Sequence, residues 1–400
     1  MKPLLLSHFT ATSCIGRGLE QTLDALRQRR GGLAPCAFDT VDLATWVGEV
    51  AGVDAVQLPA HLAHFDCRNN RLALLGLEQD GFADAVRAAI ANHGAQRVGV
   101  FLGTSTSGIL QTELAYRRRD AQTGALPADF IYRTTHNTFS VADFTRHYFD
   151  LSGPAVAVSS SACSSSAKAF SSARRMMAAG LIDAAIVGGV DTLCLTTLYG
   201  FNSLELISQE ACRPFDAQRS GISIAEAAAF ALLERTPERL DSDAVLLLGS
   251  GESSDAYHMS SPHPEGLGAR MAMQQALTMA GLQPPDIGYI NLHGTATQTN
   301  DAAEGKAVAT VFGSHTPCSS TKGATGHTLG AAGGLEAVIC ALALQHGLAP
   351  AGINVRQLDP ALAVDYVLEN RVQPLRYVLS NSFGFGGTNC SLILGRADSR

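Results

Sequence analysis

Cys163 stands in the middle of Ser159-Ser160-Ser161-Ala162-Cys163-Ser164-Ser165-Ser166-Ala167, between the apolar run Pro154 to Val158 and the Ala-rich run Ala167 to Leu181. A strand-type apolar run, then small residues, then an amphipathic helical pattern predict a strand that turns sharply into a helix with the cysteine at the turn. That is a place for a nucleophile. Exposed backbone N–H groups and the positive end of the helix dipole favour thiolate over thiol and can also hold an oxyanion. The same stretch alone reads equally well as a buried small hydrophobe, the usual state of a free cysteine.

Other turns carry residues of matching chemistry. Asn291-Leu292-His293-Gly294-Thr295 puts His293 at the end of a buried strand, where a polar side chain is costly without a partner. Lys322-Gly323-Ala324-Thr325-Gly326-His327 puts a second histidine at the start of an Ala-rich helix that carries Glu336. One isolated histidine is usually a hydrogen-bonded core residue; two at corresponding turns, both facing the turn of Cys163, point to chemistry. Asn381-Ser382-Phe383-Gly384-Phe385-Gly386-Gly387-Thr388-Asn389 is a fourth turn, whose glycines expose backbone N–H groups. It is not a G-x-G-x-x-G fingerprint and no helical pattern follows it, so dinucleotide binding is disfavoured.

The elements that position these turns are written twice. Strand Leu4 to Leu6 opens the first half and Val245 to Leu248 opens the second, after the polar junction Thr236 to Arg239. A helical pattern (Asp84 to Asn92; Ala269 to Leu282) then leads to a strand (Val98 to Leu102; Ile287 to Leu292) ending in Gly-Thr-x-Thr, at Gly103 to Thr106 and Gly294 to Thr297. Further strands follow at Ala184 to Val190 and Tyr377 to Ser380, and each half closes on one, at Ala228 to Leu233 and Cys390 to Leu394. The expected organisation is α/β, with an N-terminal half over 1–240 and a C-terminal half over 241–400, each a largely parallel sheet covered on both faces. Between Gly108 and Pro154 the first half carries an insertion without a counterpart, the kind of segment that serves a partner or a pocket.

Composition limits the function classes. With 46% hydrophobic and 16% charged residues over 400 positions, the chain is long and apolar enough for two packed units and is not expected to be disordered. A net charge of −7 argues against nucleic acid as a partner. Nine cysteines without a C-x-x-C pair or zinc-ligand spacing suit a reducing compartment, so a cytoplasmic protein without a metal is expected. The longest apolar stretch, Leu329 to Leu344, contains Glu336 and is too short to span a bilayer.

The set Ser161-Ala162-Cys163, His293-Gly294-Thr295, Lys322 with Gly326-His327, and Gly384-Phe385-Gly386-Gly387 resembles the β-ketoacyl-[acyl carrier protein] synthases of thiolase fold, in their elongating Cys-His-His branch. Arg213-Pro214-Phe215-Asp216 and Ser254 to Met259 match that branch too, and the resemblance covers nearly the whole chain in order. It implies two βα repeats stacked as five α-β-α-β-α layers and a decarboxylative condensation of an acyl thioester with malonyl carrier protein. Cys163 would carry the acyl group, and the backbone N–H groups of Cys163 and Phe385 would form the oxyanion hole. His293 and His327 would donate to the malonyl thioester carbonyl, and Lys322 with Glu336 would fix the ring of His327. Phe385 and Phe201 would gate the acyl pocket. Acyl groups would arrive on the phosphopantetheine arm of acyl carrier protein, with no other cofactor, and the chain would pair with an identical or a homologous subunit.

Carrier proteins of this pathway are acidic, so docking calls for a local basic patch on this acidic chain. Arg68 and Arg71, with Arg117, Arg118, Arg119 and Arg133 in the insertion, are the densest basic groups. Some positions depart from the family. The usual Asp-Gly-Phe-x-x-Gly-Glu-Gly-Ala reads Ser220-Gly221-Ile222-Ser223-Ile224-Ala225-Glu226-Ala227-Ala228, Lys168 replaces a frequent His, and Gln298 a frequent Pro. These point to a specialised polyketide-like or polyene-forming pathway. Two other readings compete with it: a Cys-His acyltransferase or hydrolase, which has no use for a second electrophilic His beside a Lys, and a chain-length partner subunit, which would lack the nucleophile.

Overall fold

Residues 2–38 and 41–399 are described by the computed structural model. Besides the two-residue strand Gly16–Arg17, which pairs with the end of the first strand, the strands of the large sheet are β1 (Leu4–Ser13), β2 (Val98–Gly103), β3 (Val156–Ser159), β4 (Ala184–Asp191), β5 (Ala227–Arg235), β6 (Val245–Ser254), β7 (Tyr289–Asn291), β8 (Pro317–Ser319), β9 (Asp365–Tyr366), β10 (Tyr377–Gly384) and β11 (Thr388–Arg396). They follow the order β9-β8-β7-β10-β11-β6-β1-β5-β4-β2-β3. The order β3-β2-β4-β5-β1 on one side is repeated on the other as β8-β7-β10-β11-β6, with β9 added at its edge, which is how a duplicated chain would pair. The two sides join through Leu4, Leu5 and Leu6 of β1 opposite Leu247, Leu246 and Val245 of β6.

Each side is mixed, not largely parallel. β2 runs parallel to β3 and β4, and β7 parallel to β8 and β10; the strands that close each half, β5 and β11, return antiparallel to both neighbours. In the second half the link before the closing strand is short, β10 reaching β11 through the three residues Phe385 to Gly387, too few for a parallel crossover; in the first half residues 192–226, with the helix Leu195–Ser203, separate β4 from β5, so there the antiparallel return is not forced by link length. β4 is buried along its whole length, which is why Ala184 to Val190 reads as a continuous apolar run without alternation.

Two helices, Ser165–Ala178 and Ala332–His346, share the central core with side chains from both sides of the sheet, among them Leu6, Ala229, Val378 and Leu392. Separate cores on the outer faces are formed by Leu72, Phe82, Val86 and Phe144 in the first half and by Met273, Leu277, Ala307 and Val308 in the second. This gives helix, sheet, helix, sheet, helix. The central layer is tight because its residues are small: a Cβ on Gly333 would lie 2.7 Å from the Ala167 nitrogen. A helix apolar all round belongs in such an interior, and the stretch Leu329–His346, apolar enough to cross a membrane, is 89% buried here. The insertion contributes helices Ile109–Arg117 and Ser140–Tyr148; the second packs Val141, Ala142 and Phe144 into the first-half core, while Tyr116, Ile131, Tyr132 and Phe139 stay exposed.

Candidate active site

β3 ends at Ser159 and its following helix starts at Ser165, so Cys163 lies in the turn between them, as the sequence pattern requires. Ala162 takes a left-handed φ of 50°, which turns the chain sharply just before the nucleophile. The Gly-rich turn comes close: a Cβ on Gly384 would sit 3.0 Å from the Ser161 carbonyl oxygen and 3.2 Å from the Cys163 nitrogen. Gly386 and Gly387, with φ of 77° and 72°, turn the chain after Phe385; the Gly386 N–H donates to the Met259 carbonyl at 2.7 Å, while the N–H of Phe385 is aimed at the Cys163 sulfur.

The second half supplies both histidines. His293 follows β7 and His327 follows the short helix Lys322–Thr325; both are 2% exposed. The three reactive atoms of Cys163, His293 and His327 lie within 4.8 Å of one another. His327 Nε2 is 3.1 Å from Cys163 Sγ, and its Nδ1 accepts the Leu329 N–H at 3.1 Å. A neutral His327 therefore carries its proton on Nε2, facing the sulfur. Lys322 Nζ donates to the His293 carbonyl oxygen at 2.5 Å and lies 3.4 Å from His293 Nδ1, so His293 also presents Nε2–H to the cavity. Lys322 is ion-paired with Glu336, both buried. The pair thus bears on His293; the ring of His327, which the resemblance assigned to it, is fixed by the Leu329 N–H instead.

Burial decides the charges. It holds both imidazoles well below the usual histidine range, with the Lys322 ammonium adding to the effect. It also pushes the Cys163 thiol up to about 11, against the lowering pull of Lys322 and the Phe385 N–H. The fall in thiol pKa expected from the helix-start position is therefore overturned: desolvation outweighs the fixed dipoles at a cysteine only 6% exposed. Two carboxylates missing from the sequence reading brace the second half. Glu304 accepts from the His293 and Gly294 N–H groups at 2.8 and 2.7 Å, and Asp301 from the Thr295 N–H at 2.9 Å. Their spacing on one helix face was the available signal, but only the fold shows that this face meets the His293 turn.

Cys163, His293, His327, Phe201 and Phe385 line one cavity of about 560 Å³, counted to its open mouth, with Thr295 and Thr297. Phe201 and Phe385 are half-buried and touch each other at the wall of this space, their ring centroids 5.5 Å apart. The basic residues divide. Arg68 is a correction: it is 4% exposed and bonded to Glu226 (2.6 and 2.9 Å), Asp54 (2.6 Å) and Glu49 (3.1 Å), so its charge is not offered to a partner. Arg71 is held bidentately by Asp66, and lines a surface hollow with His64 and Arg118. Arg117, Arg118, Arg119 and Arg133 are exposed.

Residues 70–239 match the β-ketoacyl synthase N-terminal domain family, and residues 244–356 the β-ketoacyl synthase C-terminal domain family. A Vibrio cholerae protein named 3-oxoacyl-[acyl-carrier-protein] synthase 2 is 32% identical over 96% of this chain and 96% of its own length. The chain belongs to the β-ketoacyl synthase family. Among solved structures, a chain from the complex of the ketosynthase ApeO with its chain length factor ApeC, from Xenorhabdus doucetiae, is similar to this synthase with a TM-score of 0.90 and 38% identity, over 99% of this chain and 98% of the other. A β-ketoacyl synthase from Burkholderia phymatum matches with a TM-score of 0.88 and 29% identity, over 99% of this chain and all of the other. The synthase thus has the thiolase-like fold that its duplicated strand order implied.

Proposed function

We propose that this synthase condenses an acyl group held on Cys163 with malonyl-[acyl carrier protein], releasing carbon dioxide and giving 3-oxoacyl-[acyl carrier protein]. The observation that carries the reading is the meeting of one thiol and two neutral Nε2–H donors in one cavity. In the first half-reaction Cys163 Sγ attacks the acyl thioester carbon, and the thiol proton ends on the departing thiol. The N–H groups of Cys163 and Phe385 receive the oxyanion. In the second, His293 and His327 donate to the malonyl thioester oxygen, which takes up charge as the carboxylate leaves as carbon dioxide. The enolate carbon attacks the acyl carbon, the bond to Cys163 breaks, and the thiolate is reprotonated. Lys322, held by Glu336, keeps His293 in the donating tautomer. Phe201 and Phe385 border the acyl path. Every step is assigned to a side chain or a backbone N–H, so the phosphopantetheine arm of the carrier is the one prosthetic group in this reading, and no metal enters it.

The acyl carrier protein is supported as a partner by the Vibrio relative's name, and a homologous second subunit by the ApeO complex. On this chain such a subunit would meet the half-buried edge strand β3, which among the described residues is paired on one side only, together with exposed Tyr116, Ile131, Tyr132 and Phe139. A division at 240/241 agrees with the repeated strand order and with the two matched stretches. A cytoplasmic setting fits nine free cysteines. The test is the purified protein mixed with acyl and malonyl carrier protein. A synthase gives carbon dioxide and a lengthened product, a hydrolase gives free acid, and a partner subunit alone gives neither.

A further inference from the structure

Asp191 ends strand β4 and has no role in the steps above, yet its buried carboxylate touches both halves of the site. Oδ1 accepts from the Thr104 hydroxyl (2.7 Å), the Ser105 N–H (2.8 Å), and the N–H (2.8 Å) and hydroxyl (2.7 Å) of Thr106. These form the first Gly-Thr-x-Thr turn, and the Ser105 hydroxyl reaches the carbonyl of Ala162, next to Cys163, at 3.4 Å. Oδ2 crosses to the other half and accepts the Gly330 N–H at 2.6 Å.

Gly330 lies just beyond His327, after a residue in an uncommon conformation. Leu329 is buried with a φ of 52°, in the left-handed region that a leucine rarely occupies and that persists only when its surroundings enforce it. In that conformation two successive N–H groups find acceptors: that of Leu329 goes to His327 Nδ1, and that of Gly330 to Asp191. The approach is close enough that a Cβ on Gly330 would lie 2.6 Å from the Ser105 hydroxyl and 2.8 Å from Asp191 Oδ2.

We propose that Asp191 is a positioning residue for condensation: by holding the Gly330 N–H it keeps Leu329 left-handed, so that the Leu329 N–H stays on His327 Nδ1 and the ring offers only Nε2–H to the substrate. This rests on His327 serving the malonyl half-reaction, and the same carboxylate fixes the turn behind Cys163, tying the register of nucleophile and donor. Asparagine at 191 keeps one oxygen for the Thr104 to Thr106 turn but sets an amide N–H against the Gly330 N–H, donor against donor.

The test is Asp191→Asn in the full chain, read by ¹⁵N-imidazole NMR of His327 and by the two half-reactions measured separately. The wild type should show one His327 tautomer, protonated on Nε2, and the variant a mixture. Formation of acyl-Cys163 should stay within about threefold of wild type while condensation falls about tenfold or more. A residue that merely holds the fold would lower both half-reactions together and leave the tautomer of the folded fraction unchanged, and that result overturns the proposal. A changed tautomer with full condensation would uphold the link from Asp191 and overturn the role given to His327. Should the asparagine variant not fold, Thr106→Val removes one of the donors that anchor Oδ1, so the carboxylate turns more freely and its Oδ2 holds the Gly330 N–H less firmly. It should show the same split in smaller degree, and normal condensation with a single tautomer in that variant overturns the proposal too.

Discussion

His327 Nε2 lies 3.1 Å from Cys163 Sγ, and both groups are neutral in the resting enzyme. This is a thiol beside an imidazole, not a preformed thiolate–imidazolium pair, because burial raises the thiol to about 11 and holds the histidine well below its usual range. Alkylation of Cys163 should therefore accelerate about tenfold per pH unit from neutrality upward, with no plateau below pH 9. Mass mapping of iodoacetamide adducts against pH checks this, following Cys163 separately because Cys36 is half-exposed and competes. Cys163→Ala should form no acyl adduct and no condensation product; retained elongation would remove the nucleophile from the mechanism.

The two half-reactions should separate at the histidines. His293→Ala and His327→Ala each remove one donor to the malonyl thioester oxygen, an effect of about 3 kcal/mol or a factor of a hundred or more. Carbon dioxide release should fall by that factor while intact-mass spectrometry still shows acyl-Cys163. Failure of both variants to acylate would assign the histidines to the first half-reaction instead.

What the sequence could and could not disclose follows from the range of each interaction. The duplication, the turn at Cys163 and the burial of His293 and His327 come from local periodicity and from short turns, and the strand order reproduces them. The helix-start dipole is a local property and points to a lowered thiol pKa, whereas the desolvation that outweighs it comes from the second half of the chain folding over Cys163. The same distance in sequence hides the burial of Arg68. A helix beginning at Arg68 shows a basic residue, but its partner Glu226 is 158 positions away. Nor did spacing reveal that Lys322 would reach back to His293 when His327 stands closer to it in sequence.

Burial, with the Lys322 ammonium adding to it, should set the acid limit of the reaction. Together they hold both imidazoles below the usual range, so wild-type condensation should show no acid limb near pH 6.5. Lys322→Ala removes a positive charge beside them, which favours the protonated ring and raises both values. The acid limb should then move to higher pH, and the variant should lose more rate at pH 6 than at pH 8 relative to wild type. A profile lowered equally at all pH values would mean that Lys322 acts only through its hydrogen bonds to His293. The measurement is condensation rate against pH at saturating substrate.

The arginines should part by burial. Arg68→Ala leaves the fully buried Glu226 carboxylate with only the N–H groups of Val50 and Leu193, and breaking such a pair typically costs about 3–5 kcal/mol. It should lower the melting temperature and reduce turnover equally on acyl carrier protein and on a small acyl thioester. Arg119 and Arg133 are exposed in the insertion, so Arg119→Glu and Arg133→Glu should leave stability alone. Rim charges steer encounter, so each reversal should raise the KM for acyl carrier protein by about fivefold at low salt, less at high salt, with the small thioester turned over as before. Equal loss on both substrates would show that these arginines support the pocket, and carrier docking would then be sought at the hollow lined by His64, Arg71 and Arg118.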